Sequence, residues 1–201
     1  MKLILVRHGE TLWNALGKLQ GREDVPLSET GRLQAKTAGK ALSRYPFSGR
    51  GPVIISSPLQ RAVETARLIA GQLPMTAGFH TDAALLERDY GQASGLTREE
   101  RTRLYPADNF PGLEDRAEAE ARIIAGINRL VRQHARQDLV LVSHGEICHI
   151  FLAYLRGEAT RTGRSALQNA SISTLTFDEL DGFRIEFYNN SAAELTEILE
   201  K

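Results

Sequence analysis

Four short apolar runs set the rhythm of the chain: "LILV" (3–6), "VIIS" (53–56), "LVLVS" (139–143) and "SISTLTF" (171–177). The first three carry no polar alternation. They read as strands buried on both faces, as in a parallel sheet covered by helices. The fourth alternates and runs on into "DELDGFRIEFY", where Asp181-Gly182 is a turn signal and "FRIEFY" alternates again. Residues 171–188 therefore read as an antiparallel hairpin on the sheet edge.

Helical patterns fill the spaces between. "LSETGRLQAKTAGKALSRY" has Ser28 as N-cap and Leu33, Ala35, Ala38 and Leu42 on its apolar side. "SPLQRAVETARLIAGQL" offers Ser57 as cap and Pro58 at the first helical position. "EDRAEAEARIIAGINRLVRQH" is long and amphipathic, with Ile123, Ile127, Leu130 and Val131 on one side. "EICHIFLAYLRG" is apolar almost throughout and reads as buried, ending at Gly157. "SAAELTEILEK" reads as a terminal helix or a frayed tail. This order predicts an α/β fold, a three-layer αβα sandwich with a mostly parallel sheet. Residues 88–112, with three glycines, two prolines and little periodicity, read as a small insertion over the sheet. One domain over residues 1–201 is the expectation.

Charge changes this picture little. Lys+Arg and Asp+Glu number 25 each among 201 residues, which argues against nucleic acid or a membrane surface as the dominant partner. The single cysteine, Cys148, can form no internal disulfide, and no Cys/His cluster has zinc spacing. The N-terminal apolar run is too short for a signal peptide, and no run reaches the ~20 apolar residues of a membrane helix. A cytoplasmic setting is the default expectation.

Candidate chemistry collects at the strand ends, where ligands bind in open parallel sheets. Arg7 and His8 follow the first run, Arg61 follows the second, His144 and Gly145 follow the third, and Glu87 follows the shorter run "DAALL". Taken singly, a histidine after a strand is usually a hydrogen-bonded structural residue and an arginine at a helix start a solvated one. Their recurrence at one topological position makes them a set. Two guanidiniums and a protonated histidine make a concentrated cationic site suited to phosphate oxygens. An imidazole can attack phosphorus, and a carboxyl group can protonate a leaving oxygen. A metal is the competing reading, on His144, Glu146 and His149. The two histidines are five residues apart, which turns the second about 140° away on a helix. No metal and no cofactor are expected.

The stretches "RHGETLWN" (7–14), "LQGREDVPLSETGRLQA" (19–35), "SSPLQRAVETA" (56–66), "LLERDYG" (85–91) and "VSHGE" (142–146) resemble the histidine phosphatase superfamily, the phosphoglycerate-mutase-like group. The resemblance implies that fold and a phosphohistidine formed on His8. It implies that Arg7, Arg61 and His144 hold the phosphoryl oxygens and that Glu87 protonates the leaving alcohol and then activates water. Thr11, Asn14, Gln20, the Gly21 backbone, Tyr90, Arg98 and Gly145 fall in its substrate-binding set. Gly9 is expected to let the backbone turn sharply. The partner implied is a small phosphate ester.

Within the superfamily, "ERDYGQASGLTRE" is similar to the cofactor-dependent mutases, with Arg98 where they carry a substrate-binding lysine. The chain lacks their longer insertion and its adjacent Arg-Arg pair. "PGLEDRAEAEAR" resembles a shortened pattern of the phosphatase branch, with Asp115 where serine is usual. Glu146 departs from the small or amide residue common after the second histidine. Pointing inward, it would disfavour a highly anionic substrate. The reading favoured is a metal-independent phosphatase of small phosphomonoesters. Phosphoglycerate mutase, a protein phosphohistidine or phosphoserine phosphatase, and a non-catalytic phosphate-binding module are the alternatives. Cys148 reads as a small buried hydrophobe and Trp13 as packing, either beside the pocket or in the core. His80 and His134 have no nameable partner, and Arg156, Arg161 and Arg164 form a basic loop.

Overall fold

The computed structural model describes residues 1–49, 51–74, 76–158 and 167–201. Its six strands are β1 (Lys2–Arg7), β2 (Val53–Ser56), β3 (Gly78–Thr81), β4 (Leu139–Ser143), β5 (Ile172–Asp178) and β6 (Gly182–Asn190). Its helices are α1 (Leu12–Ala15), α2 (Glu29–Leu42), α3 (Gln60–Ala70), α4 (Arg98–Leu104), α5 (Arg116–Gln133), α6 (Gly145–Leu155) and α7 (Ala192–Leu199). One sheet runs β3-β2-β4-β1-β5-β6, with β1 to β4 parallel and the β5–β6 hairpin antiparallel at one edge.

The uniformly apolar runs are the strands buried on both faces. Leu3, Leu5, Val53, Ile55, Leu139 and Leu141 point to the side covered by α5 and α6. Ile4, Val6, Ile54, Val140 and Val142 point to the side covered by α2, α3 and α7. The side-chain period of two thus feeds two cores from each strand. The four residues named on α5 are all buried, as are Ala35, Ala38 and Leu42 on α2. Leu33 is not: it is 66% exposed, because α2 turns it to solvent.

Two expected features fall elsewhere. Ser57 does not cap α3. That helix starts at Gln60 after Leu59, which makes no side-chain cap bond, and the Ser57 hydroxyl is engaged by His144. Gly9 does not serve a positive φ. A Cβ there would lie 2.4 Å from the Gly31 carbonyl oxygen, so the glycine permits close packing of the β1 loop on α2. Residues 88–112 hold a 3₁₀ turn (Gly91–Ala93) and α4, whose N-cap Thr97 forms a capping box with Glu100. Gly157 follows α6 at φ +63°, the left-handed position expected of a helix stop. His80 and His134 stack on each other at 5.5 Å. Among the described residues no helix is long and apolar enough to cross a membrane.

Candidate active site

Register brings the two histidines together. Arg7 of β1 pairs with Ser143 of β4, and the His8 amide donates to the Ser143 carbonyl at 2.9 Å. Each strand then ends in a histidine on the same rim, and the His8 and His144 rings stand 5.1 Å apart. Arg61, in the first turn of α3, lies beneath both and is wholly buried. Its Nε donates to Nε2 of His8 and to Nδ1 of His144, at 3.2 Å each. Its terminal nitrogens donate to the carbonyls of Glu23 (2.7 Å) and Gly21 (2.8 Å).

These bonds fix both tautomers. The Gly9 carbonyl can only accept, so Nδ1 of His8, 2.7 Å away, must donate. Arg61 can only donate, so Nε2 of His8 keeps its lone pair. By the same logic Nδ1 of His144 accepts, and its Nε2 donates to the Ser57 hydroxyl at 2.7 Å. Burial first, then Arg61, pushes both imidazoles well below the ordinary histidine range. Both rings are therefore neutral, which corrects the expectation of a protonated histidine. The cationic charge comes from the arginines. Burial lowers Arg61 to about 10, still charged at neutral pH, and burial lowers Arg7 too.

Glu87 follows a 3₁₀ turn (Ala83–Leu85), not a strand, and caps α6 from outside. Helix α6 has no side-chain cap of its own. Its Ile147 amide donates to Oε1 of Glu87 and its Glu146 amide to Oε2, at 3.2 Å each. The Arg88 amide adds a second bond to Oε1 at 2.9 Å. Oε2 accepts the fewer bonds and has room for a proton. Desolvation raises the Glu87 pKa above the usual carboxylate range against these bonds and Arg61, with the Glu146 charge adding to the rise.

The residues around this cluster line a cleft of about 1130 Å³, which includes Arg7, His8, Asn14, Gln20, Glu87, Tyr90, Arg98 and Gly145. Arg61, His144, Thr11 and Gly21 stand behind its wall. The Thr11 hydroxyl donates to Oε1 of Gln20 at 2.8 Å, and Gly21 contributes the carbonyl that anchors Arg61. Burial raises the Tyr90 phenol well above its usual pKa. Arg7 and Gln20 line the cleft, and Nε of Arg7 and Nε2 of Gln20 are buried donors with no partner among the described residues.

Two members of the competing metal set are engaged elsewhere. His144 serves Arg61 and Ser57, and Glu146 serves Arg116 at 2.5 Å. Cys148 is buried, its thiol pushed up to about 12. The Trp13 ring packs over Gly95, so closely that a Cβ there would meet it at 3.0 Å. Arg156 pairs with Glu158 and sits over the Tyr188 ring; Arg161 and Arg164 lie outside the described residues.

Several site residues carry no local signal. Asn169 donates to the Asn14 side chain at 3.1 Å and to the His8 carbonyl at 3.3 Å. Arg122 donates to the carbonyls of Ala84 and Leu86 and grips Glu114 through two nitrogens, which holds the turn carrying Glu87. Lys18, Arg88 and Arg101 complete a cationic outer wall with Arg98.

A neutral imidazole with its lone pair fixed, a guanidinium clamp and a carboxyl whose pKa burial raises, all on one sheet rim, define a phosphoryl-transfer enzyme of the αβα class. A model of the histidine phosphatase superfamily (branch 1) matches residues 3–191, and the chain belongs to that family. It is a phosphatase by class. It is 35% identical over 185 residues to the uncharacterized phosphatase PhoE of Bacillus subtilis (strain 168), covering 92% of each chain. It is 33% identical over 191 residues to phosphoserine phosphatase 1 of Hydrogenobacter thermophilus, covering 89% of this chain and 88% of that one. Among solved structures, Bacillus stearothermophilus YhfR superposes with a TM-score of 0.83 at 24% identity, over 94% of this chain and 96% of that one, a likeness of fold.

Proposed function

We propose that the chain hydrolyses small-molecule phosphomonoesters through a phosphohistidine on His8, with Glu87 as proton donor and no metal in the chemistry. The observation that carries this reading is the pair of bonds that leaves Nε2 of His8 unprotonated. Nε2 gives up its bond from Arg61 and attacks phosphorus in line, and the P–O bond to the alcohol breaks. The leaving oxygen takes the proton of Glu87. Nδ1–H stays on the Gly9 carbonyl and stabilises the positive charge that the ring acquires. Glu87, now a carboxylate, takes a proton from water, whose oxygen displaces His8 from phosphorus. Arg7 holds the equatorial oxygens from the cleft wall, with Asn14 and Gln20 beside it, and Arg61 and His144 support the site from behind that wall.

Rapid quench after mixing with a ³²P-labelled phosphomonoester in excess EDTA tests the proposal. Acid-labile, alkali-stable label on the wild type, absent from His8→Ala, is the expected result. A phosphatase that dies in EDTA and recovers with a divalent cation would overturn the metal-free reading. Isomerisation of 3-phosphoglycerate on addition of 2,3-bisphosphoglycerate, without net phosphate release, would establish the mutase alternative.

A further inference from the structure

Glu146 is the departure from family pattern that the cleft puts to use. It is the second residue of α6, only 5% exposed, yet it lines the cleft beside Glu87. Its amide holds Oε2 of Glu87, so the two residues are tied through one hydrogen bond. Its Oε1 takes Nη1 of Arg116 at 2.5 Å. Arg116, the first residue of α5, does not line the cleft, whereas Glu146 does. Glu146 is therefore the member of the pair that borders the cleft, and its Oε2 has no hydrogen-bond partner among the described residues. The charge reaches its neighbours: Glu146 contributes to raising both Glu87 and Tyr90.

With Glu87 as proton donor, the leaving oxygen of an ester would sit at Glu87, and a substituent on the next carbon of that alcohol would come beside Glu146, whose amide bonds Oε2 of Glu87. We propose that Glu146 selects the leaving group. The cleft takes phosphomonoesters whose alcohol carries a hydrogen-bond donor on the carbon next to the ester carbon, a hydroxyl or an ammonium, and turns away a carboxylate there. A desolvated carboxylate gains from a donor and repels an anion, and both effects act in the same direction on preference. Anionic groups farther out meet Lys18, Arg88, Arg98 and Arg101 instead. The inference rests on the phosphatase reading of this site.

The test is a series of two-carbon esters that differ in one group: O-phosphoethanolamine, 2-hydroxyethyl phosphate, ethyl phosphate and phosphoglycolate. Phosphate release gives kcat/KM for each with the wild type and Glu146→Gln. The wild type is expected to prefer the ammonium and hydroxyl esters over phosphoglycolate by about tenfold or more, and Glu146→Gln to erase most of that ratio. A gain shared by the hydroxyl and ammonium esters identifies hydrogen bonding as the signal; a gain of the ammonium ester alone identifies charge. The same ratio in both proteins, or a wild type that prefers phosphoglycolate, would overturn the inference. The ratio is internal to each protein, so a reduced folded fraction cancels. If Glu146→Gln does not fold, Glu146→Gln/Arg116→Gln removes both charges together and is read in the same way. Calorimetric binding of the four esters to His8→Ala ranks them without turnover. An inactive wild type therefore sinks the phosphatase reading, while the binding order still decides the role of Glu146.

Discussion

Nε of Arg61 stands 3.2 Å from Nε2 of His8, the ring nitrogen that the Gly9 carbonyl leaves without a proton. One buried guanidinium thus does two jobs. It orients the attacking lone pair, and its charge keeps the imidazole neutral.

Arg61→Ala should separate these jobs. With the cation gone, one cause of the low His8 pKa disappears, and that pKa rises towards 6.5. His8 must be neutral to attack, so activity is lost as pH falls through its pKa. The acid limb of the kcat/KM profile should therefore move to higher pH in the variant. The plateau should fall by about 10²–10³, as when one preorganised donor to a developing charge is removed. A pH–rate profile measures both, and an unmoved acid limb would count against the electrostatic role.

Glu87→Gln should reveal the proton donor through the leaving group. The raised Glu87 pKa keeps the carboxyl protonated to higher pH than an ordinary glutamate, so wild-type activity falls only as pH rises through that raised value. The amide cannot donate an acidic proton. Turnover of an alkyl phosphate should drop by about 10²–10⁴. Phosphohistidine formation from p-nitrophenyl phosphate, whose phenolate leaves without a proton, should drop far less. A burst of nitrophenolate equal to the enzyme concentration, followed by slow turnover, is the expected trace. Equal losses on both substrates would deny Glu87 this role.

How much of this was legible in the sequence depended on whether the signal was local. β1, β2 and β4 are uniformly apolar because they are buried on both faces, so their runs announced them, and with them the rim where His8 and His144 sit. β3, "GFHT", is mostly exposed at the sheet edge and has no apolar run to find. α4 is polar up to its last residue, Leu104, and has no apolar period, although its Thr97 to Glu100 capping box was a readable start signal. Ser57-Pro58 shows the opposite failure. The local cap pattern was strong, but a buried imidazole needed the hydroxyl more. Arg116, Arg122 and Asn169 were invisible because their partners lie 8 to 161 residues away.

Arg122 illustrates a positioning role that stability measurements can detect. It joins α5 to the Glu87 turn through two carbonyls and a two-nitrogen grip on Glu114, whose side chain is 12% exposed. Arg122→Ala leaves that carboxylate and those carbonyls short of a donor, and should cost about 3 kcal/mol. Arg44→Ala breaks the pair with Glu200, whose side chains are 57% and 62% exposed, and should cost less than about 0.5 kcal/mol. Urea denaturation of the two variants side by side gives the contrast. Arg122→Ala should also lose more activity on alkyl phosphates than on p-nitrophenyl phosphate, because the misplaced group is the proton donor.

Gly31→Ala tests the packing beneath the nucleophile loop. In an ordinary helix, replacing glycine by alanine gains about 0.5–1 kcal/mol. At Gly31, in the first turn of α2, the added Cβ would lie 2.0 Å from the Glu10 carbonyl oxygen and 2.8 Å from the Glu10 amide nitrogen. Both atoms are backbone, so no side chain can swing aside. The loop from Gly9 to Glu10 must move instead, and the Gly9 carbonyl that fixes the His8 tautomer moves with it. The sign of the substitution should therefore reverse. A loss of at least about 2 kcal/mol is expected from overpacking, read as a lower urea midpoint at unchanged slope. The refolded variant should also show a lower rate of His8 phosphorylation in rapid quench. A stabilised Gly31→Ala protein would mean that α2 and the β1 loop separate readily, and that the close approach does not hold the nucleophile.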